Sequence, residues 1–131
     1  MSTIEATVHD SLQAERQILA GIEWSEAEHL ASWLDVTMKS LAEILQIPPA
    51  TMQRRKESGR FSVEESERVV RIARLWFLAN QTVGGPAGAR SWLTRGQFGL
   101  GGRKPLDVAR LEVGARSIET LLHRIRYNVL T

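Results

Sequence analysis

Pro48 and Pro49 stand side by side between two short stretches whose apolar residues recur at helical spacing. Proline lacks the N–H that an interior helical residue donates, and its ring crowds the preceding turn. It fits the first turn of a helix, where no such donor is needed. The pair therefore closes one short helix, roughly 39 to 46, and opens a second, roughly 49 to 57. The same periodicity dominates the remaining chain, with no convincing strand pair, repeat or low-complexity tract. An all-α fold is expected.

Further signals place the other helices. Residues 1–24 read as a tail or a weak helix, with only Leu12, Ile18 and Leu19 in amphipathic positions. Ser25 has N-cap character, and Glu26 and Glu28 suit the positive end of a helix dipole. The apolar face of that helix is Ala27, Leu30, Ala31 and Leu34. Ser62-Val63-Glu64-Glu65 has the form of a capping box, which predicts a long helix to about Gln81, ended by Gly84-Gly85-Pro86. A short helix with Ala89, Trp92 and Leu93 follows. A glycine-rich turn, 96–102, needs positive backbone angles, and Pro105 restarts a helix. In the last helix Ile118, Leu121, Leu122, Ile125 and Val129 form one stripe; period alone does not separate core from interface.

Composition bounds the function. The chain has 131 residues, 43% of them apolar, so it can bury a core. It has no cysteine, which excludes disulfides and thiolate metal sites and suits a reducing cytoplasm. The N-terminus lacks the basic start and apolar run of a secretory signal, and no apolar run approaches a membrane span. His9, His29 and His123 are far apart, with no metal-ligand spacing, and no catalytic set is evident. His123 and Tyr127 share a helix face as an interface or core-edge pair. A cytoplasmic, non-enzymatic chain without cofactor is expected.

Charge is uneven. Residues 1–53 hold eight acidic and two basic side chains, a net −6. From Arg54 onward there are fifteen basic and seven acidic ones, a net +8. A basic face attracts polyanions or an acidic partner; a merely uneven solvated surface is the alternative.

Residues 40–59, SLAEILQIPPATMQRRKESG, resemble the helix-turn-helix of phage-repressor-like regulators. Leu41, Ala42, Leu45, Ile47 and Met52 are the positions that hold its two helices together. In that motif the second helix enters the major groove. Its outward residues here are Pro49, Ala50, Thr51, Gln53 and Arg54, with Arg55 and Lys56 nearer the phosphates. Gln reads adenine and Arg guanine by paired hydrogen bonds, while Thr and Lys mostly fix register. A helical hairpin that has lost DNA binding is the competing reading: Gln46 stands where the motif often has Gly, and Pro48 where it often has Ser or Thr.

From about Glu64 the chain is similar to the toxin-binding domain of the Xre/MbcA/ParS antitoxin family. Leu75-Trp76, Ala89, Trp92-Leu93, Leu100-Gly101-Gly102, Pro105-Leu106-Asp107, Gly114-Ala115, Leu121-Leu122, Ile125 and Tyr127 carry the match. Thr94-Arg95 replaces a frequent Thr-Pro, 109–113 replaces a short acidic or Thr-containing turn, and Asn128 a frequent glycine. The resemblance implies a type II antitoxin with a helix-turn-helix domain, 25–62, packed on a toxin-binding domain, 63–131. It implies that a cognate RES-domain toxin, which consumes NAD or transfers from it, is covered at its active site. It further implies that operator DNA is bound for autorepression. The toxin-facing residues it suggests are Gly101, Gly102, Arg103, Lys104, Pro105, Leu106, Arg124, Arg126 and Tyr127. A homodimer is expected because palindromic half-sites mirror a two-fold axis, together with a hetero-oligomer with toxin. A stand-alone regulator whose C-terminal half only dimerises, and an interaction module without DNA binding, are the alternatives.

Overall fold

The computed structural model describes residues 3–127. In chain order the elements are α1 (Thr3–Val8), α2 (Ser11–Ala20), α3 (Trp24–Leu34), α4 (Met38–Leu45), α5 (Pro49–Ser58) and α6 (Val63–Thr82). They continue with α7 (Gly85–Thr94), a 3-10 turn (Phe98–Leu100), α8 (Pro105–Val108) and α9 (Glu112–Arg126). The fold is all-α, a helix-turn-helix followed by a C-terminal helical part, as expected. The chain divides into two compact units, Met1–Ala73 and Arg74–Thr131, with the boundary inside α6.

In the first unit the start of the chain is folded. Ile4 is fully buried, and its N–H donates to the Glu26 carboxylate at 3.2 Å. Asp10 caps α2 by accepting from the N–H groups of Leu12 and Gln13. The weak amphipathic signal of this segment thus corresponds to two helices, with Leu12 and Leu19 left exposed. Ser25 is not the cap expected of it. α3 begins two residues earlier, after Glu23, whose side chain makes no capping bond. The Trp24 N–H is met by the Gly59 carbonyl at 2.8 Å, a partner too distant in sequence for a local pattern to reveal. Around it the Phe61 N–H donates to the Ile22 carbonyl, the Ile22 N–H to Ser66 Oγ, and the Trp24 and Phe61 rings stack at 5.6 Å. Ala27, Leu30, Ala31 and Leu34 are buried as their spacing predicts.

In the second unit Leu75, Trp76 and Ala79 of α6 join Ala89 and Leu93 of α7, Pro105 and Leu106 of α8, and Ala115, Ile118 and Leu122 of α9 in the core. The stripe on the last helix is therefore split. Ile118 and Leu122 are fully buried, Leu121 is half-buried and Ile125 is exposed. Val129, the fifth member, lies outside the described residues. Arg74 ties α6 to α9 through Glu119 at 2.6 Å and Glu112 at 3.0 Å. Partial burial acts to lower the Arg74 pKa, but the hydrogen bond to Glu119 and the two negative charges outweigh it and raise it. Near the start of α9, a Cβ on Gly114 would lie 1.9 Å from the Val108 carbonyl oxygen, so only glycine lets the two segments approach this closely.

Gly114→Ala should thus lower the unfolding free energy by about 2 kcal/mol, the scale of an overpacked contact that the backbone must relax. Urea denaturation of the full chain measures it.

Candidate functional site

The first candidate surface is built on α4, the turn and α5. Thr37 caps α4 by accepting the Ser40 N–H at 3.0 Å. Gln46 ends the helix in the left-handed conformation, φ 56°, at the position where a glycine is common in such turns. Pro49 then opens α5, whose missing donor costs nothing at a first turn. Leu41, Ala42, Leu45, Ile47 and Met52 are all buried, the set that spacing assigns to the contact between the two helices.

Met52 is buried, and the other predicted residues of α5 are exposed or half-buried. Pro49, Ala50, Gln53, Arg54 and Lys56 are exposed and Thr51 is half-buried. Arg54 donates to Thr51 Oγ1 at 3.1 Å, and Gln53 to Glu57 at 3.3 Å, exposed bonds that water or a ligand can replace. Gln53 and Lys56 also line a groove of about 300 Å³ with Lys39, the acidic Glu28 and Glu43, and apolar residues that include Met38, Ile47 and Met52.

Arg55 departs from the phosphate-facing position expected of it. Its Nε donates to Glu65 Oε1 at 2.6 Å and its Nη2 to Oε2 at 3.3 Å. Glu65 is mostly buried and also accepts the Ser62 N–H at 2.8 Å, while its own N–H donates to Ser62 Oγ at 3.2 Å. The capping box forms as its spacing predicts, and the same carboxylate holds Arg55. Burial acts to raise the Glu65 pKa; the bonds from Arg55 and from Ser62 outweigh it and hold the group below its ordinary value of 4.5.

The second candidate surface lies in the second unit. The loop 97–103 is closed by its own backbone, with Gln97 N–H donating to the Arg103 carbonyl and Gly102 N–H to the Gln97 carbonyl. Gly101 and Gly102 have φ of 66° and 81°, as the turn requires. Gly101, Gly102, Arg103 and Lys104 are exposed, whereas Pro105 and Leu106 are buried and hold the loop in place rather than offering surface. Arg124, Arg126 and Tyr127 are exposed at the end of α9. Arg126 donates to Gln81 at 3.0 Å and lies over the Tyr127 ring, which stacks on His123. Sequence reasoning missed Phe98, whose ring is fully exposed, and Leu111 and Val113, which are about two-thirds exposed. Single apolar residues in a turn or at a helix start carry no periodic signal. Among the described residues no cluster of three or more His, Cys, Asp or Glu side chains could hold a metal, and no helix is long and apolar enough to cross a membrane.

Comparison with known proteins agrees with this division. Residues 13–74 match the Antitoxin Xre-like helix-turn-helix domain. Residues 78–127 match the Antitoxin Xre/MbcA/ParS C-terminal toxin-binding domain. A protein named Antitoxin Xre, from Yersinia enterocolitica serotype O:8 / biotype 1B, is 32% identical over 101 residues, covering 76% of this chain and 68% of that protein. The chain belongs to the Xre antitoxin family.

As an Xre-type antitoxin it pairs a DNA-binding motif with a domain for a protein partner, and the two candidate surfaces fall one in each matched region. Glu65 lies in the first of these regions, outside the helix-turn-helix proper, and positions α5 through Arg55.

Ionised Glu65 contributes stability above pH 4.5, and the contribution is lost as pH falls through its lower folded-state value. Unfolding free energies of the wild type and of Glu65→Gln from urea titration should therefore differ by about 1–2 kcal/mol at neutral pH and converge in acid. A gap that stays constant with pH contradicts this role.

Proposed function

We propose that this antitoxin neutralises a RES-domain toxin by covering its active site with the second unit, and represses their shared operon by laying α5 in the major groove of operator DNA. The observation that carries this reading is the exposed polar face of α5, set on a well-packed helix-turn-helix, in a chain that also matches a toxin-binding domain. Arg54 and Gln53 read base edges, exchanging their present contacts with Thr51 and Glu57 for guanine and adenine. Pro49, Ala50 and Thr51 come closest to the groove floor, and Lys56 with Lys39 meets phosphates. Arg55 acts from behind, as the link to Glu65.

Two copies bind together, because two half-sites a helical turn apart require a two-fold pair of recognition helices. In the second unit Gly101 to Lys104, Arg124, Arg126 and Tyr127 face the toxin, with Pro105 and Leu106 as their support. The chain acts by binding and not by catalysis, in the cytoplasm where both partners are found. The functional division runs from an N-terminal segment, 1–24, through the helix-turn-helix, 25–62, to the toxin-binding part, 63–131.

The test is co-expression with the adjoining gene, scoring growth, NAD level and co-purification. The neighbour alone should arrest growth and lower NAD, and this chain should restore both in a stable complex. A harmless neighbour that does not co-purify would leave a stand-alone regulator as the better account. On operator DNA, Arg54→Ala should weaken binding by about 1–3 kcal/mol, read as a 5- to 150-fold rise in Kd in a gel-shift titration.

A further inference from the structure

We infer that Phe98 and the outer stripe of α9 form one docking surface, in which the Phe98 ring enters an apolar pocket rimmed by carboxylates on the toxin. The inference rests on the toxin-binding reading above and names the surface and the chemistry of its partner.

Phe98 is the most exposed large apolar side chain among the described residues, although an isolated aromatic ring gains nothing from water. Its backbone is rigid. The Leu100 N–H donates to the Gln97 carbonyl, Gly101 N–H to the Phe98 carbonyl, and the Gln97 side chain to the Trp92 carbonyl at 2.8 Å. A ring held outward on a closed turn loses little freedom on binding, which is what an interface anchor needs.

The ring is chain-adjacent to a groove of about 370 Å³ between the turn and α9. Gly99 and Leu100 form one wall. Val113, Arg116, Leu121 and Arg124 form the other, at i, i+3, i+8 and i+11 on one face of the helix. Val113 is largely exposed, and Gly99, the residue after Phe98, lies against the Leu121 side chain, so the groove offers apolar surface beside the turn that carries the ring.

Charge chooses the occupant. Residues 74–131 hold nine basic and three acidic side chains, a net +6. Among the described residues, Arg103, Lys104, Arg116 and Arg124 have no carboxylate partner. A second copy docked through this face would bring arginine against arginine, which costs several kcal/mol in a desolvated contact. A protein with an apolar pocket and an acidic rim satisfies both the ring and the arginines.

The experiment measures binding of the full chain to the purified product of the adjoining gene by calorimetry. It compares the wild type with Phe98→Ala, with the double variant Arg116→Glu/Arg124→Glu, and with Leu12→Ala, an exposed apolar control in the first unit. Phe98→Ala should raise Kd about thirtyfold or more with no change in Tm, since the ring is fully exposed. The double variant should raise Kd, and more so at low salt than at high, and Leu12→Ala should change nothing. A wild type that binds while Phe98→Ala stays within about threefold overturns the docking surface and leaves the toxin reading standing. A wild type that forms no complex overturns the toxin reading and the surface with it. Loss of self-association or of oligonucleotide binding on Phe98→Ala, with toxin affinity kept, assigns the surface to a second copy or to nucleic acid and also overturns the inference.

Discussion

The Glu65 carboxylate accepts the Ser62 N–H and the Arg55 guanidinium together, in a site where little water reaches it. Each bond alone has an ordinary purpose: one caps α6, the other neutralises a charge. Sharing one carboxylate, they lock the C-terminal turn of α5 to the first turn of α6. A half-exposed guanidinium and a mostly buried carboxylate cannot separate cheaply, because separation leaves the carboxylate desolvated and unpaired. The orientation of α5, and so the direction in which Gln53 and Arg54 point, depends on that lock as much as on Met52 in the core.

The close pairing of Trp24 with the 59–61 segment completes the frame of the first unit. Gly59 caps α3, the Ile22 carbonyl accepts the Phe61 N–H, and Arg60 reaches the Gly21 carbonyl at 2.8 Å. Every one of these bonds joins residues remote in sequence, and they explain why α3 starts at Trp24 rather than after Ser25. Local capping rules rank side chains near the helix end; here a distant carbonyl wins.

Much of the fold was legible because its signals are local and periodic. The Pro-Pro break, the buried set Leu41, Ala42, Leu45, Ile47 and Met52, and the reciprocal Ser62–Glu65 bonds all follow from spacing of a few residues. The family was legible because many scattered positions of the second half match together. What escaped was tertiary: Arg55 turned to Glu65, Pro105 and Leu106 withdrawn into the core, and the last-helix stripe divided between core and groove. Phe98 escaped for the opposite reason, since exposure of a lone aromatic has no sequence signature. The charge asymmetry was visible, but its boundary moves. The first unit carries twelve acidic and eight basic side chains, a net −4, so the basic balance seen from Arg54 onward does not extend over the unit as a whole.

On the proposed function, DNA and toxin engage different surfaces, one in each unit. Hydrogen–deuterium exchange on the full chain, with operator-length duplex and separately with the product of the adjoining gene, tests it most directly. Duplex should protect 49–56 and leave 97–126 unchanged, while the protein partner should protect 97–126 and leave 49–56 unchanged. Protection of 49–56 by the protein partner, or of 97–126 alone by duplex, would contradict it.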